Sequence, residues 1–269
     1  MLPVTDDEGR VVVSMCAGPA DPTWMPACTA AVEHIQAARD RIHTSAVNWL
    51  HRRGDFLAMA HGVLYGGSQK RPANLKHTAG NEAVFKWLFS QPEMIRIAWH
   101  GSSALAFWAP DLYRYYGEHL RPLFEANPEL HCNFRNSVYP CATVNFGPVT
   151  CTFDHVDPAN LPFGLCAVTA LGDFDHTRGG HLVLWDLKLI IEFPAGSTAL
   201  LPSAVLRHSN IATQPGETRN SGMQPTAAYM ESLSREDWEA EMERSAARWQ
   251  EGVRLYSTLT SLQQPADLN

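Results

Sequence analysis

From residue 142 to 223 the chain is a succession of strand-length segments: Ala142–Thr152, Leu165–Leu171, His181–Leu187, Lys188–Phe193, Ser197–Leu201, Val205–Ile211 and Thr218–Met223. Each is apolar or alternating, and Pro158, Pro162, Gly172, Gly179-Gly180, Pro194, Gly196, Pro202 and Pro215-Gly216 mark the breaks between them. Proline removes a ladder donor and glycine weakens a strand, so these residues punctuate a sheet rather than extend it. Seven short strands at this spacing indicate a β-sandwich or barrel.

The half before residue 138 reads differently. A short strand is expected over residues 10–16, around Val11-Val12-Val13. Pro22 and Pro26 open a helical pattern from Ala27 to Leu50, with Val32, Ile35, Ile42 and Trp49 near helical spacing. Residues 51–80 read as a loop, broken by Gly54, Gly62, Gly66, Gly67, Pro72 and Gly80. Asn81 is suited to cap a helix through Ser90, and further helices are expected over Pro92–Trp108 and Asp111–Glu125. At the other end, Ser234 with Asp237 resembles a capping box, and Trp238, Met242, Trp249 and Val253 share a helical face. The fold class expected is α+β, in one domain. Residues 1–137 form a helical support, 138–225 a double-stranded β-helix (jelly-roll) core, and 226–269 a C-terminal helical segment.

Composition limits the function. The net charge is −7, which argues against non-specific nucleic-acid binding over the whole surface. No segment approaches a membrane span and the N-terminus has no apolar run, so an intracellular site, nuclear or cytoplasmic, is expected rather than secretion. The six cysteines, none in a CxxC pair, read as free thiols. Cys151 is read as a small buried side chain despite its place near the features described next.

His155-Val156-Asp157 carries the chemistry, with His208 following 51 residues after the aspartate. In a strand, residues i and i+2 point the same way, so His155 and Asp157 can present an imidazole and a carboxylate to one ion. His208, in a later strand, can supply the second imidazole from across the barrel. Two histidines and one carboxylate on one face of a metal leave open positions, the facial triad of non-haem Fe(II) oxygenases. Alone, a His-x-Asp among twelve histidines is more often structural. Arg219, eleven residues beyond His208, strengthens it. With Ser221 on the same strand face it offers a guanidinium and a hydroxyl, suited to the distal carboxylate of 2-oxoglutarate. Asn145 either reaches that co-substrate or satisfies a neighbouring group.

The order His-x-Asp, Gly179-Gly180-x-Leu182, Gly196-x-x-x-Leu200, His208, Arg219 is similar to the Fe(II)- and 2-oxoglutarate-dependent dioxygenase superfamily. Longer stretches look like a fungal group of these enzymes, expanded in mushrooms and placed near the TET/JBP DNA-base oxygenases. They are Tyr65-Gly66-Gly67 to His77, Trp108-Ala109-Pro110 to Tyr116, Asn145 to Pro148, Asp157 to Gly164, and Gly180 to Leu187. The resemblance implies Fe(II) and O₂ at His155, Asp157 and His208, and 2-oxoglutarate at Arg219. It also implies a target base touched by Asn160, the asparagine of an extended His-x-Asp-x-x-Asn motif. It departs after Ser221, where Gly222-Met223-Gln224-Pro225 is expected to end the last strand early and loosen the co-substrate pocket.

Arg52, Arg53, Lys70, Arg71 and Lys76 give residues 51–77 a local positive charge, with Tyr65 among them. This segment reads equally as a DNA- or RNA-facing loop and as a solvated basic loop. Three function classes follow: a nucleic-acid base oxygenase, a hydroxylase of a small molecule or protein side chain, and a catalytically silent binding module.

Overall fold

The computed structural model describes residues 2–45, 49–64, 71–158, 160–224, 249–250 and 252–263. Its elements, in chain order, are β1 (Leu2–Thr5), β2 (Val11–Cys16), α1 (Trp24–Arg39), β3 (Leu50–His51), β4 (Gly54–Asp55), β5 (Ala58–Leu64), β6 (Ala73–Asn74), α2 (Ala79–Phe89), α3 (Pro92–Trp108), α4 (Pro110–Ala126), β7 (Cys141–Asn145), β8 (Cys166–Asp173), β9 (Leu182–Leu184), β10 (Leu189–Ile191), β11 (Thr198–Leu201), β12 (His208–Asn210), β13 (Thr218–Gln224) and a short α5 (Leu259–Gln263).

Two sheets make the jelly roll. The large one runs β1-β2-β11-β8-β13-β7-β5-β6 and the small one β10-β9-β12, while β3 and β4 form a separate hairpin. Between the sheets lies an apolar layer that includes Val13, Met15, Ala170, Leu182, Leu184, Phe193, Ala199 and Leu201. On the other side of the large sheet, α1, α2 and α3 bury Ile35, Phe85, Leu88 and Ile97 against Val144, Phe146 and Leu171. A further cluster joins α3 and α4 to β2 and β11 through Leu105, Leu112, Val11 and Leu200. The helices therefore back one sheet, as the α+β reading expected.

All seven expected core strands are present, mostly shorter than their apolar runs. The first ends at Asn145 because the chain turns at Gly147 (φ 64), where a Cβ would strike the Asn220 carboxamide. The last, β13, stays paired with β8 through Gln224, opposite Ala167, and Pro225, where the expected break closes, lies outside the described residues. Three other expectations also change. Helix α1 stops at Arg39, not Leu50, and Asn81 does not cap α2. Thr78 caps it by accepting from the Asn81 N–H, while the Asn81 carboxamide bonds both backbone groups of His43 and holds the post-helical turn. Within the expected loop 51–80, β5 pairs with β7 over five residues and extends the large sheet. The strand β1 was not expected either. The capping box and the helix face at Trp238 and Met242 lie outside the described residues, as do Tyr65 and Lys70.

Candidate metal and co-substrate site

His155 is not in a strand, contrary to expectation. It lies in the loop between β7 and β8 and makes one isolated bridge to His208. The two backbones exchange hydrogen bonds: His155 N–H to His208 O at 3.0 Å, and His208 N–H to His155 O at 2.9 Å. The histidines are therefore direct neighbours rather than partners across a barrel, with ring centroids 4.3 Å apart. Asp157 is fixed separately, through its N–H to Ser203 O at 2.7 Å.

Hydrogen bonding sets the ring states. His155 Nδ1 faces Phe153 O at 2.8 Å and His208 Nδ1 faces Leu206 O at 2.9 Å. A carbonyl only accepts, so each Nδ1 carries the hydrogen and each Nε2 is left with a lone pair. Both Nε2 atoms lie 3.8 Å from an Asp157 carboxylate oxygen. One ligand atom from each of the three residues falls within 4.8 Å of the others. Burial pushes both imidazoles below their usual pKa. The His208 ring adds to the fall at His155, which reaches about 4 against the pull of Asp157. The rings are neutral at neutral pH, as metal ligands must be. The buried Asp157 Oδ2 has no hydrogen-bond partner among the described residues. Two neutral imidazoles and a carboxylate whose Oδ2 is unpartnered fit a divalent iron facially.

The cavity beside these ligands also receives Arg219, Ser221, Asn145, Thr152 and Arg53. Arg219 and Ser221 alternate along β13, so both enter it. Arg219 is wholly buried and its Nη1 donates to Thr150 O at 3.1 Å. Its Nε has no partner among the described residues. The rings of Phe174 and Phe193 lie 5.9 and 5.8 Å from its guanidinium. Burial lowers its pKa to about 10, opposed by Cys151. A buried cation without an anion is costly, so the position suits a ligand carboxylate. Asn145 Nδ2 donates to Ser221 Oγ at 2.7 Å, which leaves the serine hydroxyl hydrogen free for a ligand. Asn145 Oδ1 is buried without a partner among the described residues.

Two sequence assignments change here. Asn160 is buried, donating to Ser203 Oγ at 2.8 Å and Cys166 Sγ at 3.2 Å, and it does not line the cavity. It ties the ligand loop to the turn after β11 and does not face outward toward a base. Arg52 and Arg53 sit on the β3–β4 hairpin against the metal ligands. Arg52 donates to Val156 O at 2.6 Å and reaches Asp157 at 3.5 Å. Arg53 lines the cavity and, among the described residues, makes no side-chain hydrogen bond or ion pair. The hairpin docks through Phe153 N–H to Arg53 O at 2.8 Å. Gly54 is required there, since a Cβ would collide with Cys151 O. Arg71 and Lys76 remain exposed. Nothing local in the sequence marks Arg53 as a cavity residue; its role depends on tertiary docking.

No family model matches this sequence, and no curated protein matches it. Solved structures do. That of NgTET1 in complex with 5mC DNA covers 90% of this chain and 84% of its own, at 17% identity and a TM-score of 0.57. The chain shares the fold of NgTET1. An oxidoreductase of the 2OG-Fe(II) oxygenase family from Burkholderia pseudomallei covers 84% of this chain and 90% of its own, at 14% identity and a TM-score of 0.39. A viral collagen prolyl hydroxylase from Paramecium Bursaria Chlorella virus-1 covers 85% and 97%, at 11% identity and a TM-score of 0.37. Among the described residues, no helix is long and apolar enough to cross a membrane.

Proposed function

We propose that this chain is an Fe(II)- and 2-oxoglutarate-dependent dioxygenase acting on a methylated nucleic-acid base. One observation carries the reading: the neutral imidazoles of His155 and His208 line the same cavity as an anion-free buried Arg219, with an Asp157 carboxylate oxygen within 4.8 Å of both ring nitrogens. When bound, iron and 2-oxoglutarate supply oxidative decarboxylation with O₂ and oxidation of a C–H bond.

The chain's own residues do the rest. His155, Asp157 and His208 hold the metal, with each imidazole oriented by a backbone carbonyl. Arg219 binds the distal carboxylate, and Ser221, oriented by Asn145, donates to it. Leu182, Phe193 and Leu201 line the same cavity and exclude water. The cavity measures about 40 Å³, room for roughly one to three waters. A five-carbon dicarboxylate therefore displaces side chains on arrival, and Arg53, whose side chain makes no hydrogen bond among the described residues, is a candidate to move.

The base reading draws on the rim and on the likeness to NgTET1. Phe153, 54% exposed, adjoins the ligand loop, and Arg52 is exposed beside Asp157. An exposed aromatic face and a cation beside the ligand loop suit a base taken out of its stack. Burial of Asn160 favours the second reading, a hydroxylase of a small molecule or protein side chain, because it withdraws the amide expected to touch a base. Succinate release with Fe(II) and 2-oxoglutarate, over methylated DNA and RNA oligonucleotides and a panel of peptides and small acids, tests both. Stimulation by oligonucleotides alone is expected. Stimulation only by peptides or small molecules would support the second reading, and no 2-oxoglutarate binding would leave a silent module.

A further inference from the structure

Strand β10 is an outer strand of the small sheet. Its inner edge pairs with β9 in unbroken register. Among the described residues nothing pairs with its other edge, so alternate N–H and C=O groups there point outward. An open edge of this kind is a template for another strand, and proteins guard it with proline, a bulge, charge or shortness. β10 carries no proline and no bulge; its length of three residues and the neighbouring Lys188 are what restrain it. Its central residue, Ile190, is 65% exposed, and its flanks, Lys188 and Glu192, carry opposite charges.

An open apolar groove of about 700 Å³ runs along this edge, between β10 and β1, lined by Val4, Met15, Trp24, Met25 and Ile191. The β1 side of the groove is guarded, because Pro3 has no N–H to offer. That leaves β10 as the edge able to accept a strand.

We propose that β10 is a dimerisation edge, with two copies of this chain pairing it antiparallel about a two-fold axis through Ile190. The charges select this occupant. Under that axis Ile190 faces the partner's Ile190, Leu189 faces the partner's Ile191, and Lys188 faces the partner's Glu192. The salt pair forms twice per dimer, whereas flanks of like sign would repel twice. Side chains alternate along a strand, so the partner's Leu189 and the partner's Ile191 enter the apolar groove while the isoleucines meet outside. Glu192 is available: among the described residues its side chain has one ionic neighbour, His176 at 3.7 Å, and both are exposed. Such a pair holds a carboxylate weakly. Two-fold dimers, joined through the same patch of each subunit, are the commonest homo-oligomers.

Sedimentation of the full chain over a wide concentration range is the test. A concentration-dependent dimer is expected for the wild type. Lys188→Glu and Glu192→Lys each turn two attractive cross-strand pairs into two repulsive ones, raising the dissociation constant roughly ten-fold or more. Mixing the two variants should restore association, since every Lys then faces a Glu across the axis. Melting curves first establish that each variant is folded. Lys188 has φ 55 and tolerates substitution less well, so Ile190→Lys, which places two lysines on the axis, provides a second disruption at an exposed site. A wild type that stays monomeric at its highest soluble concentration overturns the proposal. So does undiminished dimerisation of the folded variants, or failure of the mixture to associate.

Discussion

The two sheets of the jelly roll live in different surroundings. The large sheet is backed by α1, α2 and α3, and Leu171 on β8 is fully buried beneath them. The small sheet has no helix against its outer face among the described residues, and Trp185 and Ile190 there are 49% and 65% exposed. The candidate site takes a part from each. Arg219, Ser221 and Asn145 stand on the large sheet, His208 on the small one, and His155 and Asp157 on the loop that reaches across to it. The carboxylate anchor is thus built into the well-packed layer, where a desolvated guanidinium must be held firmly. The metal ligands are held instead by short backbone bridges. Packing density positions one end of the site and hydrogen-bond geometry the other.

The sharpest way to separate the two ends is Asp157→Ala, which removes the only anionic ligand. Iron retention and succinate release should fall below detection while the melting curve keeps its cooperativity. Turnover by that variant would place the metal elsewhere. The sheets themselves are compared by Leu171→Ala and Val205→Ser, followed by urea unfolding. The first empties a site under the helices and should cost about 2–5 kcal/mol. The second alters a residue 46% exposed beside the small sheet and should stay within about 0.5 kcal/mol. Equal losses would mean that the small sheet is as tightly backed as the large one.

Arg219→Ala acts on the packed end alone. Losing a buried charged contact to a carboxylate costs about 2–5 kcal/mol, so the 2-oxoglutarate requirement should rise roughly thirty-fold or more. Metal binding should be nearly unchanged, and a titration of 2-oxoglutarate into both proteins with an inert metal decides it. A further effect is set by protons. His155 is held to about 4 in the folded chain, against about 6.5 when unfolded. Between those values the unfolded chain binds more protons, so stability of the metal-free protein should fall as pH drops from about 6.5 toward 4. His208, also lowered by burial, acts in the same direction. Urea midpoints that do not move across this window would show that the imidazoles are not desolvated.

The sequence announced the seven core strands because each is an apolar run closed by Gly or Pro, a purely local signal. The spacing of His155, Asp157, His208, Arg219 and Ser221 was legible for the same reason, although His155 works from a loop. The stretch Ala58–Leu64 gave no such signal. It holds Ala, His and Gly where β-branched residues would mark a strand, and it becomes one only by pairing with β7. Helix α1 was overextended because Ile42 continues its apolar spacing, yet the chain is diverted there by the Asn81 carboxamide, from a helix 38 residues away in sequence. Arg53 was read with a basic loop since nothing near it shows that its hairpin docks on the ligand loop. Asn160 was read from a motif, and its burial against Ser203 and Cys166 is a tertiary fact.

The reciprocal backbone bridge between His155 and His208 has a mechanical consequence. His208 is also paired with Leu184 on β9, so the bridge to His155 ties that part of the ligand loop, and its imidazole, to the small sheet. The spacing between the rings is a stiff coordinate, and the distance from that pair to Asp157, which hangs from Ser203, is the soft one. Breathing of the loop would therefore move the Asp157 carboxylate relative to the two rings before it separates the rings from each other, and, were an ion held there as proposed, the aspartate arm would govern its admission and release.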